Sequence, residues 1–309
     1  MTTPPAQRRS ELVPVLEIGG THVTAALVDP TADRPVPTAV LRRPLDAHAA
    51  ADDVLDVIAG AARSLPDGHR GHWGVAVPGP FDYATGVGRF TGIGKFRSLT
   101  GVDVGAGLRR RLAGRADRLR FLNDADAFAL GEYRAGAAAG HDRVLCLTLG
   151  TGVGSSFLET GRPVHDDARV PTSGHVHHLT VGGRPLEDTV SRRGIRERYA
   201  RLAAPDGAPG RPDVHEIAAR ADEGDPAAVE AFRYSFHALG QALAAWIDRF
   251  EATAVVVGGS IARSWHLVHP ALTAGLAAGG AVPVLPAGQP AQAPLIGAAH
   301  WALDAPGAL

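Results

Sequence analysis

The chain of 309 residues holds a single cysteine, Cys146. That excludes an internal disulfide and any multi-thiolate metal site. Lysine is nearly absent, while alanine, glycine, arginine and proline are heavily used. This usage is the imprint of a GC-rich genome and carries no function. No excess of charge of one sign exists: Lys+Arg is 31 and Asp+Glu is 32, a net −1 that excludes a strongly basic nucleic-acid binder on charge alone. No stretch approaches the roughly 20 apolar residues that a membrane helix needs. The opening MTTPPAQRRSELVPVLEIGG has a basic pair with no apolar run behind it, unlike a secretory signal. At 45% hydrophobic and 20% charged, the composition is that of a soluble globular protein. The length suits two domains rather than one core, and a cytoplasmic location is the default.

Hydrophobic periodicity predicts a hairpin from Val13–Ile18 and Val23–Val28 around Gly19-Gly20-Thr21. Helices are predicted over 52–65, 99–112 and 125–133, with strands over 73–77 and 119–122. The strand–glycine turn–strand unit then returns, with Val144–Leu149, the turn Gly150-Thr151-Gly152-Val153-Gly154, and Ser155–Leu158. The tract 203–213, rich in Pro, Gly and Ala, reads as a loop. A long helix is predicted from Pro226 to Glu251, with Val229, Phe232, Phe236, Leu239, Leu243 and Ile247 on one face. A strand follows at Ala254–Val257, ending in Gly258-Gly259, and a helix closes the chain around Leu295–Leu303. Alternating strands and helices with a duplicated start predict two related α/β domains facing each other across a cleft. The expected division is 1–122 and 123–294, with the helix from about 295 to 309 packing back on the first domain.

Glycine turns let backbone N–H groups approach an anion, and Thr21 and Thr151 add hydroxyl donors. Each turn alone is equally a tight hairpin with no ligand; the pair, in duplicated positions, suggests a phosphate chain gripped from both. Gly258-Gly259 end a buried strand where a flat ligand could lie against the backbone. Asp124 opens a helix after a strand, which fits both an N-cap and a general base in a cleft. Its neighbour Asn123 can donate to or accept from sugar hydroxyls. Trp246 and Trp265 read as packing, and Arg42-Arg43 and Arg109–Arg111 as solvated faces.

The ordered set Glu17-Ile-Gly-Gly-Thr, Val77-Pro-Gly-Pro, Asn123-Asp-Ala-Asp-Ala, Leu149-Gly-Thr-Gly-Val-Gly, Val257-Gly-Gly-Ser and Leu295-Ile-Gly-Ala-Ala resembles the ROK family of sugar kinases and sugar-responsive repressors. The resemblance runs from about residue 13 to 303. It implies an actin-like ATPase (ribonuclease H-like) fold and transfer of the ATP γ-phosphate to a sugar hydroxyl. By the same resemblance Asp124 is the catalytic base, and Pro78, Gly79, Asn123, Asp124, His175, His178 and Glu187 meet the sugar. Gly19, Gly20, Thr21, Gly150, Thr151 and Gly152 hold phosphate, and Gly258 and Gly259 the adenosine. A homodimer is suggested on the same ground.

Departures from the family pattern qualify these expectations. Glu17 stands where the family has an Asp near magnesium; the longer carboxylate can reach the ion through a water. In Gly174-His175-Val176-His177-His178, His178 keeps the family histidine while His175 replaces a carboxylate that contacts the sugar. The zinc segment with its cysteines is gone, so no zinc is expected; His175, His177 and His178 read as sugar contacts or a polar loop ahead of a metal site. The loop Gly92-Ile93-Gly94-Lys95-Phe96 has also lost the family's asparagine. These losses point to an amino-hexose, for example kanosamine in antibiotic biosynthesis, phosphorylated on its 6-hydroxyl, with glucose second. A sugar-binding regulator with impaired catalysis is the reading from another class. Only 16 residues precede Glu17, so no DNA-binding domain is expected and no nucleic-acid or membrane partner.

Overall fold

The structure, a computed structural model, describes residues 11–32, 35–203, 212–277 and 281–304. Residues 204–211 of the expected loop tract and 305–309 of the expected terminal helix lie outside them. The chain divides into two compact units, one within 1–135 and 291–309, the other within 136–290. The division thus falls one helix later than the expected 122/123.

In the first unit β1 (Val13–Ile18), β2 (His22–Val28), β3 (Thr38–Pro44) and β4 (His72–Val77) are followed by a small hairpin of β5 (Phe81–Asp82) and β6 (Val87–Gly88), then by β7 (Arg118–Asn123). The main sheet has the order β3-β2-β1-β4-β7. β1 is antiparallel to β2 and parallel to β4, and β4 is parallel to β7. Central β1 is buried along its length except at half-buried Glu17, as a strand covered on both faces should be.

Helix α1 (Ala51–Arg63) turns Val54, Leu55, Ile58 and Ala62 inward, with Asp52 and Asp53 in its first turn. Helix α2 (Val104–Leu112) begins later than predicted because Asp103 accepts from Ala106 N–H at 2.7 Å and caps it. Arg111 is not the solvated charge expected: it bridges Asp56 at 2.6 Å and Asp52 at 2.7 Å and ties α2 to α1.

Helix α3 (Asp124–Ala135) follows β7 without a gap. It belongs to the first unit, where backbone contacts that only glycine permits join it to the helix over 293–303 and join that helix to β4. A Cβ on Gly131 would collide with the Ala293 carbonyl, one on Gly297 with that of Ala127, and one on Gly74 with that of Ala298.

The second unit repeats the plan. Strands β8 (Arg143–Leu149), β9 (Val153–Glu159) and β10 (Arg162–Pro163) run antiparallel in turn. A second small hairpin pairs β11 (Thr180–Val181) with β12 (Arg184–Pro185). Parallel β13 (Ala254–Gly258) and β14 (Val284–Pro286) complete the order β10-β9-β8-β13-β14. This is the first sheet's order, strand for strand.

Its helices are α4 (Glu187–Val190), α5 (Arg192–Ala203), α6 (Val214–Asp222), α7 (Pro226–Phe250) and α8 (Trp265–Leu276). Asp225 caps α7 and Pro226 takes its first turn, where no N–H is needed. The predicted face of α7 is buried from Phe232 to Ile247, but Val229 is 41% exposed and lies off it. α7 meets α8 where Gly240 and Gly275 bring the two backbones together. Helix α9 (Ala293–Leu303) then returns to the first unit. Among the described residues no helix is long and apolar enough to cross a membrane.

Because the α9 contacts are backbone on backbone, nothing can rotate away from an added methyl. Gly297→Ala is expected to cost about 3 kcal/mol or more of stability, the upper range for overpacking, read as a lower urea midpoint. An unchanged midpoint would reject this packing.

Candidate active site

The predicted residues fall into two sets, one on each unit. In the first unit β1 delivers Glu17 to the start of the Gly19-Gly20-Thr21 turn. The turn is closed by Gly19 N–H donating to the His22 carbonyl at 2.8 Å. The Thr21 hydroxyl lies 3.2 Å from His22 Nδ1, which Arg42 also reaches at 3.1 Å. Arg42 is exposed, as expected, and also reaches the surroundings of the turn.

Asn123 and Asp124 end β7 and start α3. Asn123 Oδ1 accepts from Ala125 N–H at 2.9 Å while its amide donates to the Tyr83 hydroxyl at 2.9 Å. Asp124 Oδ1 also lies 3.0 Å from Ala125 N. The helix start therefore has Asn123 as an acceptor, and the exposed Asp124 carboxylate is not needed as its only cap. Gly79, beside Pro78, leaves room for the Tyr83 hydroxyl, which a Cβ there would meet at 3.3 Å. Sequence reasoning missed Tyr83; its place five residues after Pro78 was the available signal.

Electrostatics couple these groups. Burial pushes the Glu17 carboxyl above its usual range, and the charge of Asp124 pushes it further; Arg42 and a hydrogen bond with Thr24 pull it back. The Asp124 carboxyl is also raised. Surrounding protein is the main cause, opposed by the Lys95 ammonium and the Ala125 N–H, with Asp126 adding to the rise. Glu17, a carboxylate at the head of the turn, offers the hard oxygen donor that magnesium takes, with room for the waters that ion keeps; the residue present fits that ion.

In the second unit the turn Gly150-Thr151-Gly152 joins β8 to β9 and closes by Gly150 N–H donating to the Gly152 carbonyl at 3.0 Å. Arg192 N–H donates to the Gly150 carbonyl at 2.9 Å. Gly259 has φ of +91°, and a Cβ there would strike the Leu149 backbone; glycine alone allows β13 to end so close to β8. Glu187 lies against the turn, its carboxylate 3.3 Å from where a Gly152 Cβ would be.

The turn opens on a cavity of about 280 Å³ lined by Thr151, Arg192, Asp213, His215, Ser260 and Arg263 among others. Of these, Thr151 and Ser260 lie in motifs read from the sequence. Arg192, at the start of α5, and Arg263, in the turn Ile261–Ser264 ahead of α8, stand in no motif and were missed.

The histidine segment is held from β9: the Ser155 hydroxyl donates to the Gly174 carbonyl at 2.7 Å and accepts from Val176 N–H at 2.9 Å. The rings of His175, His177 and His178 cluster, with one nitrogen of each within 4.8 Å of the others. Burial and the neighbouring His178 hold His177 below its usual value, against the pull of Glu187.

Residues 14–305 match the ROK family. The chain is 30% identical over 276 residues to a glucokinase of Thermotoga maritima, covering 82% of this chain and 83% of that protein. It is 28% identical over 290 residues to an N-acetyl-D-glucosamine kinase of Escherichia coli O6:H1, covering 84% and 86%. The structure of a ROK family glucokinase from Streptomyces griseus in complex with glucose and AMPPNP superposes with a TM-score of 0.72 at 25% identity, covering 94% of this chain and 98% of that one.

The histidine cluster sets a direct test of its role. With sugar contacts as its role, the purified protein is expected to hold far less than one zinc per chain, and a chelator to leave its melting temperature unchanged. Stoichiometric zinc by metal analysis would overturn that role for His175 and His178.

Proposed function

Since the chain belongs to the ROK family and has the actin-like ATPase fold, we propose that it is an ATP-dependent kinase acting on the 6-hydroxyl of a hexose or amino-hexose. The observation that carries this reading is Asp124: an open carboxylate at the end of a buried strand, in electrostatic contact with Glu17 at the head of a glycine turn.

Asn123 orients the sugar hydroxyl with its remaining amide hydrogen. Asp124 takes the hydroxyl proton as the oxygen attacks the γ-phosphorus and the bond to the β-phosphate breaks. With the Gly19 and Gly150 N–H groups closing the turns, Gly20 and Thr21, and Thr151 and Gly152, offer the N–H and hydroxyl donors to phosphate oxygens, where donors fixed in advance lower the barrier most. Thr151, Ser260, Gly258 and Gly259, with Arg192 and Arg263 beside them, receive the nucleoside. Glu17 would hold magnesium, which when bound neutralises phosphate charge. Pro78, Gly79, His178 and Glu187 meet the sugar. The protein would work in the cytoplasm and pair as a homodimer.

His175 decides between substrates. An imidazole donates or accepts according to its tautomer, whereas the carboxylate it replaces only accepts. That change alters which substituents are welcome there; with the lost loop asparagine and the lost zinc segment it sets the reading apart from a standard glucokinase, with an amino-hexose first and kanosamine in an antibiotic pathway as the specific candidate. The glucokinase reading is kept alive by the relatives' names.

Asp124→Asn is expected to lower kcat by about 10²–10⁴-fold, the usual cost of losing a general base. A carboxyl whose folded-state value is raised costs stability when charged near neutral pH. Its removal should therefore leave the melting temperature equal to or above wild type. Retention of most of the wild-type kcat would reject Asp124 as the base. His175→Glu should shift kcat/KM toward glucose and away from an amino-hexose by roughly 5–150-fold, the equivalent of about 1–3 kcal/mol for one hydrogen bond to a charged group. An unchanged ratio removes His175 from the sugar site.

A further inference from the structure

One lysine, Lys95, stands among 31 Lys+Arg residues. Its ammonium differs in kind from the guanidinium of the others. An ammonium is a compact point charge with three rotatable donors, while guanidinium is a wide planar fork.

Its placement is built. The Lys95 stem lies on the first glycine turn, its Cδ 3.4 Å from where a Gly20 Cβ would be. The next residue, Phe96, holds a left-handed φ of +58° although it is not glycine. That costly conformation is maintained by complete burial, by Phe96 N–H donating to the Ala47 carbonyl at 2.8 Å, and by Phe90 at 5.3 Å between ring centroids. On the other side Gly92 and Gly94 have open space around them. The ammonium itself is exposed and faces Asp124 electrostatically.

We propose that Lys95 is a further catalytic residue, whose ammonium contacts the transferring γ-phosphoryl group over the Gly19-Gly20-Thr21 turn. The inference rests on the kinase reading. As Asp124 accepts the proton of the sugar hydroxyl, a new O–P bond forms and the electron pair of the breaking bond goes to the β-phosphate oxygen of ADP. Lys95 keeps its protons throughout and balances the charge on the equatorial oxygens. Phosphate is favoured over sugar as its partner because the stem rests on the turn.

A lone lysine makes the test clean. An amine-acylating reagent modifies one ε-amino group in the native protein, followed at the Lys95 peptide by mass spectrometry. Magnesium-ATP is expected to slow that modification at least tenfold, and adenosine or glucose alone to leave it unchanged. Absence of protection by ATP, or protection by sugar alone, overturns the proposal whether or not the protein turns over. Lys95→Met is expected to lower kcat about 10²–10³-fold, as loss of one preorganised donor does, with the KM for sugar within threefold. Lys95→Arg is expected to recover only part. A Lys95→Met kcat within threefold of wild type overturns the role. A wild type inactive on a full hexose and amino-hexose panel would instead overturn the kinase reading, and the modification experiment would still decide what Lys95 binds.

Discussion

The contact of α9 with β4 and α3 is the constraint on which the Asp124 end of the first unit depends. A helix that packs through side chains keeps about 8–10 Å from its neighbour and tolerates repacking. Here Gly74, Gly131 and Gly297 remove the side chains, and carbonyls press directly into the vacated space. Such contacts fix α3 along its axis as well as across it. Since α3 begins at Asp124 with no intervening loop, fixing the helix fixes the carboxylate. A segment from the far end of the chain thus sets the position of a residue near its middle.

The repeated sheet order explains why two glycine turns exist at all. In both units the first strand is central, antiparallel to the second and parallel to the later ones. A central strand buried on both faces must deliver its functional groups at its end, because its middle sees only core. Glu17 at the end of β1 and Gly150 after the end of β8 are the two outcomes. One unit places a carboxylate there and the other keeps only glycine and threonine.

Much of this was legible in sequence. Elements with strong periodicity and a glycine or Asx boundary, such as β1, β8, α7 and the Asn123-Asp124 start of α3, lie within a few residues of expectation. What escaped had no local signature. β3 is an exposed edge strand whose Thr38–Pro44 lacks clean alternation. α5 reads as a charged stretch, Arg192 to Arg201, with only Gly194, Ile195 and Tyr199 buried. The domain boundary was placed before α3 because a strand end suggests a break. The glycines that bind α3 to α9 look, in sequence, like ordinary small residues. Arg111 reads as solvated because charge runs usually are; its partners Asp52 and Asp56 lie on another helix, far away in sequence. Lys95 was passed over as part of a loop defined by what it lacked.

Charge balance completes the picture of the first unit's site. Burial raises both carboxyls, and the charge of Asp124 raises Glu17 further, as Asp126 does Asp124. Arg42 opposes this at Glu17 and Lys95 opposes it at Asp124. The two cations differ in kind: Arg42 also reaches a ring nitrogen of His22, while the Lys95 stem lies on the glycine turn and is anchored behind by buried Phe96. A raised carboxyl is the better proton acceptor provided it remains charged at working pH, because its affinity for the proton then matches the task. The Lys95 ammonium opposes the rise at Asp124, and on the proposed role of that carboxylate as base this opposition favours the form that accepts a proton.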